Sequence, residues 1–261
     1  MSGNPFLLVT PATRGLSLAL VRHFLRSTDL PVFATYRSGH ESSVKKSMLE
    51  RIDNVDPERL KLIPLDLTSE DSIASAPERL AELLPKDKES YLHTGFFTGG
   101  VLAPEKQPAD LDLATIRHIF DINVISHLLL IKHFSRFLPT RKQNSLLSAP
   151  AKWVHVTARV GSISDNKMGG WYSYRSSKAA LFQVVKTFDH QLQMKGSPSI
   201  CVGVHPGTVK TDLSKGFWDS VAKEKLFSPE YSAGCLADVV GGLQEDQRGR
   251  VWDWAGKEIQ P

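Results

Sequence analysis

Tyr174 and Lys178 stand four residues apart in the run Gly170-Trp171-Tyr172-Ser173-Tyr174-Arg175-Ser176-Ser177-Lys178-Ala179-Ala180-Leu181. In a helix, that spacing puts both side chains on one face. A free phenol titrates near ~10, too high for proton exchange at neutral pH unless a neighbouring cation stabilises the phenolate. Lys178 is the cation at hand, so the pair is an acid–base candidate. Tyr and Lys also meet at this spacing by chance on many surface helices, and the surroundings must carry the argument.

A second group of residues suits an anion. The stretch Thr10-Pro11-Ala12-Thr13-Arg14-Gly15-Leu16-Ser17 follows a strand-sized apolar run and opens a helical pattern. A dinucleotide fold sets its phosphates against such a helix N-terminus. Of the small residues that a phosphate turn uses, Gly15 is present and Ser17 allows close packing, whereas Pro11 has a fixed φ and no N–H to offer. Pro11, Thr13, Arg14, Gly15 and Leu16 are the candidate contacts. At the end of the next apolar run, Arg37 occupies the place where an acid would hold the ribose hydroxyls of NAD. A guanidinium there pairs with a 2′-phosphate, and Arg14 can approach it from the other side. The expected cofactor is therefore NADP(H) rather than NAD(H).

These residues need a scaffold. Apolar, β-rich runs recur at 6–9, 32–36, 60–65, 91–97, 153–157 and 200–204. Between them lie helically spaced apolar positions such as Leu16, Leu20 and Phe24, then Ile116, Ile119, Phe120 and Val124. The alternation reads as repeated βαβ units. Strands that are apolar throughout fit a parallel sheet covered on both faces, which predicts an α/β fold with a doubly wound parallel sheet in three α/β/α layers. With 261 residues, 41% hydrophobic and 23% charged, no repeat and no Gly/Ser/Pro-rich linker, the chain reads as one domain over 1–261. Residues 140–150 (TRKQNSLLSAP) read as an exposed insertion.

The composition excludes several function classes. A net charge of +4, scattered rather than clustered, argues against a nucleic-acid surface. Two cysteines, Cys201 and Cys235, cannot staple a secreted fold, and the N-terminal apolar run is strand-sized. The expectation is a cytoplasmic protein with no membrane contact. Nine histidines include no HxH or HExxH, so no metal is expected, and without a GxSxG elbow acyl hydrolysis is a poor competitor.

The loop His205-Pro206-Gly207-Thr208-Val209-Lys210-Thr211-Asp212 follows the sixth run, as Tyr174 and Lys178 follow the fifth. With these in place the chain as a whole resembles the short-chain dehydrogenase/reductase family and its Rossmann fold. ARVGSISDN at 158–166, the following GGWYSYRSSKAAL and VWDWAGK at 251–257 look like its branch of C-factor-like and sniffer-like carbonyl reductases. The resemblance implies hydride transfer between NADP(H) and a carbonyl or alcohol. It makes Tyr174 the proton donor, has Lys178 hold the nicotinamide ribose and lower the tyrosine pKa, and has Asn123 keep a relay water. It assigns Asp66 and Leu67 to the adenine, and Pro206, Val209 and Thr211 to the nicotinamide amide. Thr98-Gly99-Gly100 falls where the family shows Asn-Asn-Ala-Gly, with Gly99 a cofactor contact.

Thr157-Ala158 lies over the family's Ser-Ser, so alanine takes the usual catalytic serine's place. Ser162, twelve residues before Tyr174, is the candidate hydroxyl for the substrate oxygen, or else a loop serine capping nearby backbone. Substrate choice is expected from 213–227, where Phe217 and Trp218 offer apolar surface. Trp171 and Tyr172 either line the substrate mouth or pack. The expected partners are a small carbonyl or alcohol and further copies of the chain, in a homodimer or homotetramer built on the apolar helix at 116–138. The alternative is a catalytically silent relative that senses cofactor or binds a protein.

Overall fold

The six apolar runs become neighbouring strands because each can bury both of its faces. The computed structural model describes residues 3–261. In chain order the elements are β1 (Asn4–Thr10), α1 (Gly15–Ser27), β2 (Val32–Tyr36), α2 (Glu41–Leu49), β3 (Leu60–Pro64), α3 (Glu70–Leu83) and β4 (Ser90–Phe97). There follow α4 (Leu113–Phe120), α5 (Ser126–Phe134), β5 (Ala151–Val156), α6 (Tyr172–Met194), β6 (Ser199–His205), β7 (Thr208–Val209), β8 (Leu226–Phe227), α7 (Pro229–Gly242), β9 (Val251–Asp253) and β10 (Glu258–Ile259).

The main sheet has the order β10-β9-β6-β5-β4-β1-β2-β3. Its pairs are parallel except β10 on β9, which corrects the all-parallel expectation at one edge. The order reverses between β1 and β4, the place where an open α/β sheet leaves a crevice at its carboxyl ends. Successive residues of β1 serve opposite faces. Leu7 and Val9 pack with Leu20, Phe24 and Leu236, on the side of α1 and α7. Phe6 and Leu8 pack with Ile73, Leu130, Phe134 and Phe188, on the side of α3, α5 and α6. Each large side chain so buried contributes roughly 1.5–3 kcal/mol, which is why an unbroken apolar run is stable here as a central strand. The result is a Rossmann-like three-layer α/β/α domain.

Two expectations need adjusting. The apolar helix at 116–138 is not continuous: α4 gives way to a π-helical turn at Asp121–Ile125, then α5, then a 3-10 turn at Ser135–Phe137. The stretch Leu113–Phe137 is long and apolar enough to cross a membrane by length and composition, yet its Ile119, Leu130 and Phe134 are buried in the domain. The insertion at 140–150 is also more ordered than a bare exposed loop. It forms a 3-10 helix at Arg141–Leu146, and Gln143 is buried while its side chain accepts the Thr140 N–H at 2.8 Å.

Candidate active site

The phosphate-type turn is built on close approach. Gly15 has φ 55°, a conformation that favours glycine, and a Cβ added there would lie 3.0 Å from Thr211 Cγ2, a tight contact from which the threonine would have to give. Arg14 is the N-cap of α1 with no side-chain cap, and the first turn holds no acid. The helix therefore opens with N–H groups and a positive dipole end that suit an anion. Pro11 interrupts no strand pairing, since β1 ends at Thr10 and the next N–H, that of Ala12, pairs with Thr35 O at 3.0 Å. Thr98, at the end of β4, can donate its hydroxyl to Thr10 O or Pro11 O, and Ser17 Oγ lies 2.7 Å from it. Ser17 so fastens the first turn of α1 to the neighbouring strand. The side chains of Thr13, Arg14 and Arg37 are exposed beside this turn and Leu16 is half-buried.

The floor of the crevice carries two glycines, of which only Gly99 is closely packed. A Cβ at Gly99 would lie 2.8 Å from Leu67 Cδ1, and one at Gly100 would lie 3.4 Å from Lys178 Nζ. Asp66 accepts the Thr68 N–H and hydroxyl, which hold its carboxyl below the usual range, with a smaller push from Arg37. Gly99 O receives a chain of bonds that starts in the core. Trp153 Nε1 donates to His155 Nε2 at 2.9 Å, so neutral His155 carries its proton on Nδ1 and donates to His127 Nδ1 at 2.8 Å. His127 Nε2 is then the donor to Gly99 O at 3.0 Å. Burial keeps both rings neutral, pushing His127 down to about 3 and His155 well below its ordinary value.

At the other end of the crevice, Tyr174 and Lys178 are both buried on α6. Lys178 Nζ lies 5.7 Å from the centre of the Tyr174 ring and donates to Val156 O at 3.1 Å, at the end of β5. Burial pushes the Lys178 ammonium down to about 7 and pushes the Tyr174 phenol up. At neutral pH Tyr174 therefore holds its proton; burial outweighs the lowering of its pKa expected from Lys178.

Asn123 sits in the π-helical turn, fully buried. Its Oδ1 accepts the Val101 N–H at 2.8 Å, and its Nδ2 donates to Val101 O and to Ser177 Oγ, both at 3.0 Å. It thus ties the loop after β4 to α6 between Tyr174 and Lys178. A π-turn re-aims one residue of a helix, and such turns often mark functional positions.

The loop after β5 is pressed against the same helix. A Cβ at Gly161 would lie 2.6 Å from the Lys178 carbonyl carbon. Thr157 Oγ1 donates to Lys178 O at 3.3 Å, and Ala158 is buried. Ser162 is buried, with its Oγ accepting the Asp165 N–H at 3.1 Å and lying 3.1 Å from Ser164 Oγ. Arg159 pairs with Asp165 at 2.9 Å and with Asp253 on β9 at 2.8 Å, so the 251–257 segment braces this loop. Beyond β6, Pro206 O accepts from Ser232, Ser214 Oγ donates to Val209 O, and Thr211 meets Gly15. In the 213–227 segment, Phe217 stands 4.9 Å from Trp171, and Trp171 stands edge-on 6.1 Å from Tyr174. Trp218 turns instead to Ser214, donating its indole N–H at 2.9 Å.

Sequence reasoning placed Thr98 without a role and missed the His127–His155 pair and Glu105. Glu105 is a buried carboxylate whose Oε2 accepts the Ser173 N–H at 2.8 Å. The available signal was a polar residue where burial was expected, as with His155 inside the fifth apolar run.

A family model described as short chain dehydrogenase matches residues 5–222. The 1-hydroxy-2-glutathionyl-2-methyl-3-butene dehydrogenase of Rhodococcus sp. (strain AD45) is 34% identical over 196 residues, which is 75% of this chain and 78% of that protein. The C-signal protein of Myxococcus xanthus is 35% identical over 150 residues, 58% of this chain and 81% of its own. Among solved structures, NADPH-bound carbonyl reductase from chicken fatty liver is 26% identical, with TM-score 0.83 and 100% of both chains covered.

Proposed function

Because the chain belongs to the short-chain dehydrogenase family, we propose that this oxidoreductase uses NADP(H) to reduce a small carbonyl compound, or to oxidise the matching alcohol. The observation that carries the reading is the buried pair Tyr174 and Lys178 on α6, with Asn123 bonded to Ser177 between them, at the same end of the sheet as a helix N-terminus that holds no acid. The glycine positions Gly15, Gly99 and Gly100 and the acid-free start of α1 fit a dinucleotide. Arg37 and Arg14 would hold its 2′-phosphate, with Pro11, Thr13 and Leu16 along the turn and Asp66 and Leu67 at the adenine. Pro206, Val209 and Thr211 would flank the carboxamide. When bound, the nicotinamide supplies or accepts the hydride.

Tyr174 gives its proton to the substrate oxygen as negative charge develops, a contribution of order 10²–10⁴ in rate. Lys178 stabilises the phenolate left behind, and its ammonium is returned to charge as that anion forms beside it. Asn123 holds the loop and helix in register for this transfer. Ser162 orients the substrate oxygen. The domain works in the cytoplasm on a small-molecule substrate, apart from nucleic acid and membrane, as a homodimer or homotetramer through the exposed Leu113, Ile125 and Leu128 of the α4–α5 face.

The test is NADPH consumption with a panel of aldehydes and ketones. Wild type should turn over at least one of them, and Tyr174→Phe should lose about 10³-fold in kcat while still binding NADPH. One observation favours a second reading, a silent relative that senses cofactor or binds a protein. Ala158 stands at the family's serine position, and the Ser162 hydroxyl already accepts the Asp165 N–H. NADPH binding without turnover across the panel would support it.

A further inference from the structure

Helix α6 starts in an unusual way. Its N-cap, Trp171, is a bulky aromatic in the left-handed region, with φ 52° and ψ 47°, and its side chain caps nothing. That region crowds any Cβ against the backbone, so such a residue persists only where its surroundings hold it. Glu105, from the loop between β4 and α4, is what holds it. The Glu105 carbonyl accepts the Trp171 N–H at 2.6 Å. Its carboxylate accepts the Ser173 N–H at 2.8 Å through one oxygen and the Ser173 hydroxyl through the other. At 3% exposure it is a buried acid with both oxygens engaged.

The surroundings fix Glu105 in turn. Asp110 Oδ2 accepts the N–H groups of Lys106 and Gln107, which sets the loop just after it. Gly170, at φ 68°, lets the chain pass the Glu105 carbonyl, which an added Cβ would approach to 3.5 Å. Arg175 donates to Gly169 O, Gly170 O and Val160 O, and so braces the same turn from the helix side.

We propose that Glu105 is a positioning residue for proton transfer, which starts the tyrosine helix and locks Trp171 as the aromatic wall between Tyr174 and the substrate segment at 213–227. The inference rests on the reading of the chain as a Tyr174-dependent reductase. Glu105 acts through others: it satisfies the N–H of the second residue of α6, and Tyr174 is the third. A carboxylate at that end also suits the helix dipole. Without it the first turn frays, and the phenol and the indole move together. A misplacement of about 1 Å in such a site lowers turnover by about 100-fold.

The experiment uses the full chain with Glu105→Ala, Glu105→Gln and Trp171→Phe. The near-UV circular dichroism lost in Trp171→Phe defines the signal of the Trp171–Tyr174–Phe217 contact. Calorimetry with NADPH and steady-state kinetics with para-nitrobenzaldehyde are then measured on each variant. Glu105→Ala should lose that dichroism and about 100-fold in kcat, with NADPH affinity and KM within about threefold of wild type. Glu105→Gln should restore both, because an amide can accept the Ser173 N–H and donate to the Ser173 hydroxyl. Full kcat or an unchanged dichroism in Glu105→Ala, or equal damage from Glu105→Gln, would overturn the proposal. If Glu105→Ala does not fold, Ser173→Ala takes its place with about a 10-fold loss expected, and unchanged kcat and dichroism there would overturn it. If wild type consumes no NADPH with para-nitrobenzaldehyde or with any member of the aldehyde and ketone panel, the reductase reading has failed, and the dichroism alone decides whether Glu105 holds the indole.

Discussion

Burial sets the protonation of the two central residues. Tyr174 is pushed up and keeps its proton at neutral pH, while Lys178 is pushed down to about 7 from 10.5. Between about pH 7 and pH 10 the unfolded chain therefore holds a lysine proton that the folded chain has shed. Stability rises with pH across that window. A denaturant midpoint followed over this range should climb in wild type and climb less in Lys178→Met; equal slopes would remove the burial argument. Tyr174, Lys178, Arg37 and Gly15 could be singled out as candidates from residue type, spacing and their place after the apolar runs, because the signal for each is local. Glu105 and Thr98 could not, since what gives them a role is a bond to residues far along the chain, Ser173 in one case and Thr10 and Pro11 in the other.

At the scale of elements, the strands were readable because parallel strands buried on both faces leave uninterrupted apolar runs. β9 and β10 were not, being three and two residues long and stabilised by their place at the sheet edge. The π-helical turn at Asp121–Ile125 leaves no mark in the hydrophobic period, yet it delivers Asn123 to Val101 and Ser177. Asn123→Ala would orphan the Val101 N–H and C=O, and should lower stability by about 2–4 kcal/mol, read as a drop in Tm. A change below about 0.5 kcal/mol would mean that water replaces the clamp. The histidine chain makes a pH prediction of opposite range. His127, at about 3 when folded and 6.5 when unfolded, takes up a proton on unfolding anywhere between those values. Stability should fall as pH drops through about 6, and His127→Gln should flatten that fall; an unaltered acid profile would show that these rings do not titrate on unfolding.

Over the whole molecule, the reversal of strand order between β1 and β4 brings the α1 N-terminus, the glycine floor and the loops after β5 and β6 to one end of the sheet. That convergence explains why motifs scattered from Arg14 to Thr211 are read together. The doubly wound layout was legible in the alternation of patterns, whereas the antiparallel edge strand and the break in the α4–α5 helix required the tertiary structure. Light scattering at micromolar concentration should give a dimer or tetramer, and a monomer would leave the exposed Leu113, Ile125 and Leu128 without the role assigned to them.

The central claim is that this end of the sheet takes NADP(H), and calorimetric titration of the purified chain with NADPH and NADH, repeated on Arg37→Ala, tests it most directly. NADPH should bind more tightly than NADH, and Arg37→Ala should weaken NADPH by about 10-fold or more while leaving NADH unchanged. Binding of neither nucleotide would contradict the account, and an NADPH affinity indifferent to Arg37 would contradict its reading of the 2′-phosphate site.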